Sequence, residues 1–204
     1  MLHHLDPLTT RSAFTDAAAV FLATVAAVAD DQWEQPGVGE WTVRELTAHA
    51  IRSFETLERL CDTAAATPVV ESASAYYRVV AELPDVHRGV AQRAREAAAR
   101  LVEPVRSAGT AAERALDRLA ATPDDHVGES FVGPMRFGDY LPTRLVELGI
   151  HTLDLQGSTG QTLTLPRSAV GVILGVLADL TDGPTVLLAL TGRRPLPAGF
   201  NLLG

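Results

Sequence analysis

A chain of 204 residues that is 47% hydrophobic and 21% charged has the size of one ordinary globular domain with a short appendage, and its apolar content excludes a disordered or fibrous protein. Its formal charge of -8 would repel a phosphate backbone, which argues against a nucleic-acid partner. Aromatics are only 5%, and Ala, Leu, Glu and Arg fill long stretches in the manner of helices, so the fold class is mainly α.

Asp6 and Pro7 read as an N-cap and a first helical residue, and Phe14, Ala18, Phe21, Val25 and Val28 then recur at helical spacing, giving a first helix that ends near Ala29. Pro36, Gly37 and Gly39 make the next segment a loop. Thr42-Val43-Arg44-Glu45 is a capping box that opens a second helix running to about Asp62, with Leu46, Ala50, Leu57 and Leu60 on its core side. A small-residue linker from Thr63 to Ser74 precedes a short helix over Ala75 to Leu83, which Pro84 ends, and Asp85 is placed to cap the next helix. Val86 to Leu119 reads as a third helix in two pieces, bent at Glu103-Pro104 where proline removes a backbone donor. Thr122 to Asp125 stops it and Gly133-Pro134 makes a turn. Asp139 then caps a fourth helix, with Pro142 in its first turn and Leu141, Leu145, Leu148 and Leu155 as its core stripe. Pro166 opens a fifth helix through Val170, Ile173, Leu174 and Leu177, and Thr185 to Leu190 reads as a short buried strand before a Gly/Pro-rich end. The expected architecture is a four-helix bundle with a fifth helix and a short C-terminal strand and tail.

No apolar run approaches the roughly 20 residues that cross a membrane, so no membrane partner is expected. Met1 to Pro7 lacks the basic and apolar regions of a secretory signal, and the single cysteine, Cys61, rules out an internal disulfide; both point to a reducing, cytoplasmic setting. The chain has no lysine, which excludes a lysine Schiff base, and any metal site must use His and carboxylates.

Glu147 and His151 stand four residues apart on the fourth helix, one turn from each other on one face and about 6 Å apart along the axis, so both can reach one ion. That spacing also occurs as an ordinary surface contact. Leu148, Thr152 and Leu155 adjoin the pair and put it at the edge of the core, where an unpaired carboxylate is costly and a cation would remove the cost. His49 follows Leu46 by three residues on the second helix and faces inward as well; alone it reads as a satisfied core histidine. Together His49, Glu147 and His151 make a His2Glu set from two helices, the three-ligand arrangement that leaves a fourth zinc position open.

Gly39-Glu40-Trp41-Thr42-Val43-Arg44-Glu45-Leu46-Thr47-Ala48-His49, taken with Arg144-Leu145-Val146-Glu147-Leu148-Gly149-Ile150-His151-Thr152-Leu153-Asp154-Leu155, resembles the DinB-like superfamily, and within it the metal-binding domain of mycothiol-dependent maleylpyruvate isomerases. Gly133-Pro134-Met135 is similar to the same family, and the likeness covers about residues 8–160. The resemblance implies a DinB-like bundle over residues 1–160 that holds a divalent metal, usually zinc, on His49, Glu147 and His151. Residues 161–204 then form a C-terminal helix and tail packed on the same domain. Asp154 matches the Asp of the family's His-x-x-Asp-Leu pattern, which implies a role in orienting His151 or as an extra ligand; a helix-end hydrogen bond is the plainer alternative.

About forty residues come after the fourth helix, fewer than the C-terminal domain of the full isomerases, which contributes a substrate-binding Arg. Arg193-Arg194 after the terminal strand is similar to such a substrate-carboxylate contact, but two arginines in a Thr-Gly turn are more often just a solvated loop. The leading functional expectation is a thiol-dependent, mycothiol-type S-transferase or isomerase acting on a small electrophile, with no catalytic base assigned. The alternatives are a non-catalytic metal- or small-ligand-binding module, and a bundle that serves as a dimerising partner; a homodimer is compatible with each. Cys61 reads as a packed or surface thiol, and His3, His4, His87 and His126 as solvated side chains near termini or caps.

Overall fold

The side chain of Asp6 accepts a hydrogen bond from the amide of Thr9 at 2.9 Å and Pro7 occupies the first turn, which starts α1 (Pro7–Ala26) and orders one of the helix's free N–H groups. A computed structural model describes residues 6–84 and 86–203 of the chain, with residues 86–88 described in their backbone alone. Phe14, Ala17, Phe21 and Val25 of α1 are fully buried. The helix stops three residues before the expected end, and Asp30–Gln32 forms a separate 3-10 turn.

The capping box forms as expected: the Glu45 amide donates to the Thr42 hydroxyl at 3.2 Å and the Thr42 amide donates to Glu45 Oε2 at 3.0 Å. It starts α2 (Val43–Asp62), whose Leu46, Ala50, Phe54, Leu57 and Leu60 are completely buried. Ser72 caps α3 (Ala73–Glu82) through the Ala75 amide. The expected bent third helix is two helices, α4 (Val86–Arg100) and α5 (Pro104–Ala121), with Pro104 at the start of the second piece. The expected Asp85 cap lies outside the described residues.

Between α5 and the next helix, where a stop and a turn are expected, the chain makes an antiparallel hairpin of β1 (Val127–Ser130) and β2 (Gly133–Arg136), with Gly128 opposite Met135. Strands of four residues are too short to show an alternating pattern. Gly133 takes a φ of 113°, a conformation that suits glycine, and a Cβ at Gly128 would collide with the carbonyl of Leu60. The hairpin therefore lies directly against the end of α2.

The following helix, α6 (Phe137–Ser158), begins two residues before the expected cap: Arg136 is the N-cap without a side-chain bond, and Asp139 is in the first turn. Pro142 consequently falls inside the helix rather than in its first turn. α7 (Arg167–Asp179) comes next, and then α8 (Gly183–Leu190), which replaces the expected C-terminal strand over Thr185 to Leu190. Asp182 decides this: its carboxylate accepts from the Thr185 amide at 2.7 Å while Pro184 fills the first turn, a helix start that outweighs the β-branched start of a short apolar run.

The fold is mainly α, with the hairpin as its only sheet among the described residues. α1, α2, α5 and α6 form the bundle: α6 packs on α1 and α2, and α5 packs on the same two helices. Phe14, Phe21 and Phe54 meet at its centre, with the Phe54 ring centroid 5.9 Å from that of Phe14 and 5.8 Å from that of Phe21. α4 covers α2, α7 lies on α6 and α1, and α3 crosses onto α6. Among the described residues no helix is long and apolar enough to cross a membrane.

Candidate metal centre

The contact between α2 and α6 sets His49 opposite Glu147 and His151. His49 sits two turns into α2, behind the capping box, and Trp41 just before the cap folds back so that its ring lies 4.7 Å from the His49 ring and 6.1 Å from that of His151. The two imidazoles meet edge to face with centroids 4.7 Å apart. One ligand atom from each of His49, Glu147 and His151 lies within 4.8 Å of the other two, close enough for a single ion to reach all three. Side-chain exposures of 26% for Glu147 and 16% for His151 leave the cluster reachable from solvent.

Each side chain on α6 has a second partner. Asp154, one turn further on, lies 3.1 Å from His151 Nδ1, and this leaves His151 Nε2 facing Glu147 Oε2 at 3.6 Å. The other carboxylate oxygen, Glu147 Oε1, accepts from the Tyr77 hydroxyl at 2.9 Å; the same hydroxyl lies 3.1 Å from the Thr143 carbonyl. Arg144 is buried one turn before Glu147. Its guanidinium donates to the hydroxyls of Thr143, Thr56 and Tyr76 at 3.0 to 3.2 Å and lies over the rings of Tyr140 and Tyr76. No carboxylate is within ion-pair distance of it among the described residues, so Glu147 is the anion whose charge it balances from a distance.

These contacts set the charges. Burial, then the positive charge of His151, pulls the His49 pKa down to about 3, so its imidazole is neutral. Burial works against the charge on His151, but the bonds to Asp154 and Glu147 win and raise its pKa to about 9. For Glu147 burial favours the acid, and the His151 bond with the Arg144 charge outweighs it and holds the pKa at about 2. Burial and the neighbouring Glu147 push the Tyr77 hydroxyl well above its ordinary range, so it stays a donor.

His49 Nδ1 is buried and has no hydrogen-bond partner among the described residues. A buried nitrogen without a partner is costly, and two imidazoles with one carboxylate are the borderline donors that suit zinc, so the residues present fit a divalent ion.

The three residues expected from the sequence to act together are thus brought together, and Asp154 bonds His151. Arg193 and Arg194 stay exposed in the turn after α8, which packs on α7. Cys61 is half-buried and its pKa is raised by burial, so the thiol is not activated. His126, expected in solvent, is partly buried with Nε2 3.2 Å from the Leu60 carbonyl. His3, His4 and the side chain of His87 lie outside the described residues. Tyr77 carries no functional signal in the sequence, and Arg144 enters it only as the first residue of the second stretch that carries the family resemblance. Tyr77 acts across 70 positions from a short helix, a contact that no local spacing announces.

A helical bundle that gathers His, Glu and His from two facing helices defines a candidate metal-binding bundle. The chain belongs to the mycothiol maleylpyruvate isomerase N-terminal domain family, whose model matches residues 14–156. Searches of curated proteins and of solved structures gave no match.

Proposed function

We propose that His49, Glu147 and His151 hold one divalent metal ion, zinc by the chemistry of the donor set, in a thiol-dependent S-transferase or isomerase that joins a mycothiol-type thiol to a small electrophile. The observation that carries the metal assignment is the convergence of one ligand atom each from His49, Glu147 and His151 to within 4.8 Å of one another, at a histidine that also has a buried nitrogen without a hydrogen-bond partner. The thiol is inferred from the family's name, and the electrophile is argued only from the chemistry of thiols.

A divalent ion held there supplies Lewis-acid chemistry that lowers the pKa of a thiol from about 8.5 into the neutral range. The chain's residues do the holding and orienting. Asp154 fixes the His151 ring through Nδ1, Tyr77 fixes Glu147 through Oε1, and the Trp41 ring shields the imidazoles on one side. Both carboxylates are committed, Asp154 to His151 and Glu147 to the ligand set, so neither is free as a general base. This favours a reaction whose nucleophile arrives as an ionised thiol over hydrolysis, which needs a base for water.

Part of the same proposal is the division of the chain into a metal-binding bundle over residues 1–160 and a C-terminal part over residues 161–204, in which α7 packs on α1 and α6 and α8 packs on α7. A single cysteine suits a reducing, cytoplasmic setting.

Metal-loaded protein incubated with mycothiol, or a simple thiol surrogate, and a panel including an activated alkene and an aryl halide is expected to consume thiol above background, while Glu147→Ala does not. Metal binding with no thiol consumption would leave a binding module instead. Ester or amide cleavage independent of thiol would favour a hydrolase.

A further inference from the structure

We propose that Tyr77 of α3 is a positioning residue that reserves one oxygen of Glu147, Oε1, and so offers the centre a single carboxylate oxygen, Oε2. The inference rests on the metal assignment proposed above and deepens it. Two observations carry it. The Tyr77 hydroxyl is 2.9 Å from Oε1, whereas Oε2 is the oxygen turned towards His151 Nε2 at 3.6 Å, so the two oxygens already have different tasks. Tyr77 is buried and its ring stands edge to face with Tyr76 at 5.4 Å, so the hydroxyl cannot swing away without opening the packing of α3 on α6.

A hydrogen bond to one oxygen weakens that oxygen as a metal donor and favours a carboxylate that binds through the other alone. With two imidazoles it makes a three-donor set that suits a four-coordinate ion and leaves one position for an external ligand. If Oε1 were free, the carboxylate could bind through both oxygens and occupy that fourth position or raise the coordination number, which suits harder cations with oxygen preference. Tyr77 therefore acts on the number of donors the chain supplies, and through it on the choice of metal and the open position. It touches neither the ion nor its external ligand.

Tyr77→Phe keeps the ring and removes only the hydroxyl, and Tyr76→Phe removes a neighbouring buried hydroxyl that does not touch a ligand. Cobalt(II) serves as the probe because its visible absorption is intense when four-coordinate and weak at higher coordination. The expected result is an intense spectrum for wild type and for Tyr76→Phe. Tyr77→Phe is expected to give a weakened, higher-coordinate spectrum, with zinc affinity lowered about 10- to 100-fold by calorimetry. An unchanged spectrum and affinity in Tyr77→Phe, or equal changes in both variants, would overturn the positioning role. Failure of wild type to bind either ion would instead overturn the metal assignment beneath it. Thermal unfolding of the metal-free variants separates a folding defect from a ligand effect, and a Tyr77→Phe protein that melts with wild type yet shows the altered cobalt spectrum is the outcome expected.

Discussion

Alanine at His49 or at His151 is expected to leave the protein without stoichiometric zinc, while wild type retains one ion per chain through gel filtration. Structural zinc sites bind with roughly 10–16 kcal/mol, so one of three ligands carries about 3–5 kcal/mol, and its loss weakens binding by about a hundredfold to several thousandfold. Neither variant should unfold the bundle, because both positions are helix interiors where alanine has the best propensity, and neither ring belongs to the apolar core. Elemental analysis after gel filtration reads the occupancy. Metal uptake also carries a proton signature. In the metal-free chain His151 keeps its proton up to about pH 9, whereas His49 and Glu147 have already lost theirs at neutral pH. Zinc can bind His151 only after that proton leaves, so uptake at pH 7 should release about one proton per ion, and affinity should fall as pH is lowered. Calorimetry in buffers of different ionisation enthalpy measures the release. Equal heats in all buffers would contradict it.

Arg144→Ala is expected to be the most destabilising substitution near the site, costing about 3–5 kcal/mol. Arginine keeps its charge in folded proteins, so the native state has already met the cost of burying it through three hydroxyl acceptors and two aromatic faces. Removing it leaves a cavity, strands the hydroxyls of Thr56, Thr143 and Tyr76 without their donor, and takes away a cation that holds Glu147 ionised. Arg144→Met fills most of the volume without the charge and should cost less than alanine. Chemical denaturation with chelator present in all samples isolates this effect from metal binding. An alanine variant as stable as wild type would show that the network contributes nothing net.

The bundle and the candidate ligands were legible because they are encoded locally. Thr42 and Glu45 mark the start of α2 by a reciprocal bond between neighbours in sequence, and Glu147 and His151 share a face through helical spacing alone. The pairing of His49 with them spans about a hundred residues and came from two apolar stripes that each had to face the same core, together with the family resemblance. The features that escaped were either short or non-local. The hairpin at 127–136 has four residues a side, and Gly128 is required there only because α2 ends against it. The segment from Thr185 to Leu190 has the apolar run of a strand, and the decisive signal, Asp182 with Gly183-Pro184 after it, precedes that run as a helix start. Tyr77 and Arg144 look like ordinary helix residues in the sequence. Tyr77 becomes part of the centre only when α3 folds across α6, which no periodicity within α3 foretells, whereas Arg144 already stands one turn from Glu147 on α6 itself.

The most direct measurement of the central claim is an anomalous-difference map from crystals grown with zinc, with data collected on both sides of the zinc absorption edge. One peak per chain is expected at the interface of α2 and α6, at about 2.0–2.2 Å from one nitrogen each of His49 and His151 and from Oε2 of Glu147. A map with zinc bound elsewhere, or with no peak among these three side chains at full zinc loading, would contradict the metal assignment.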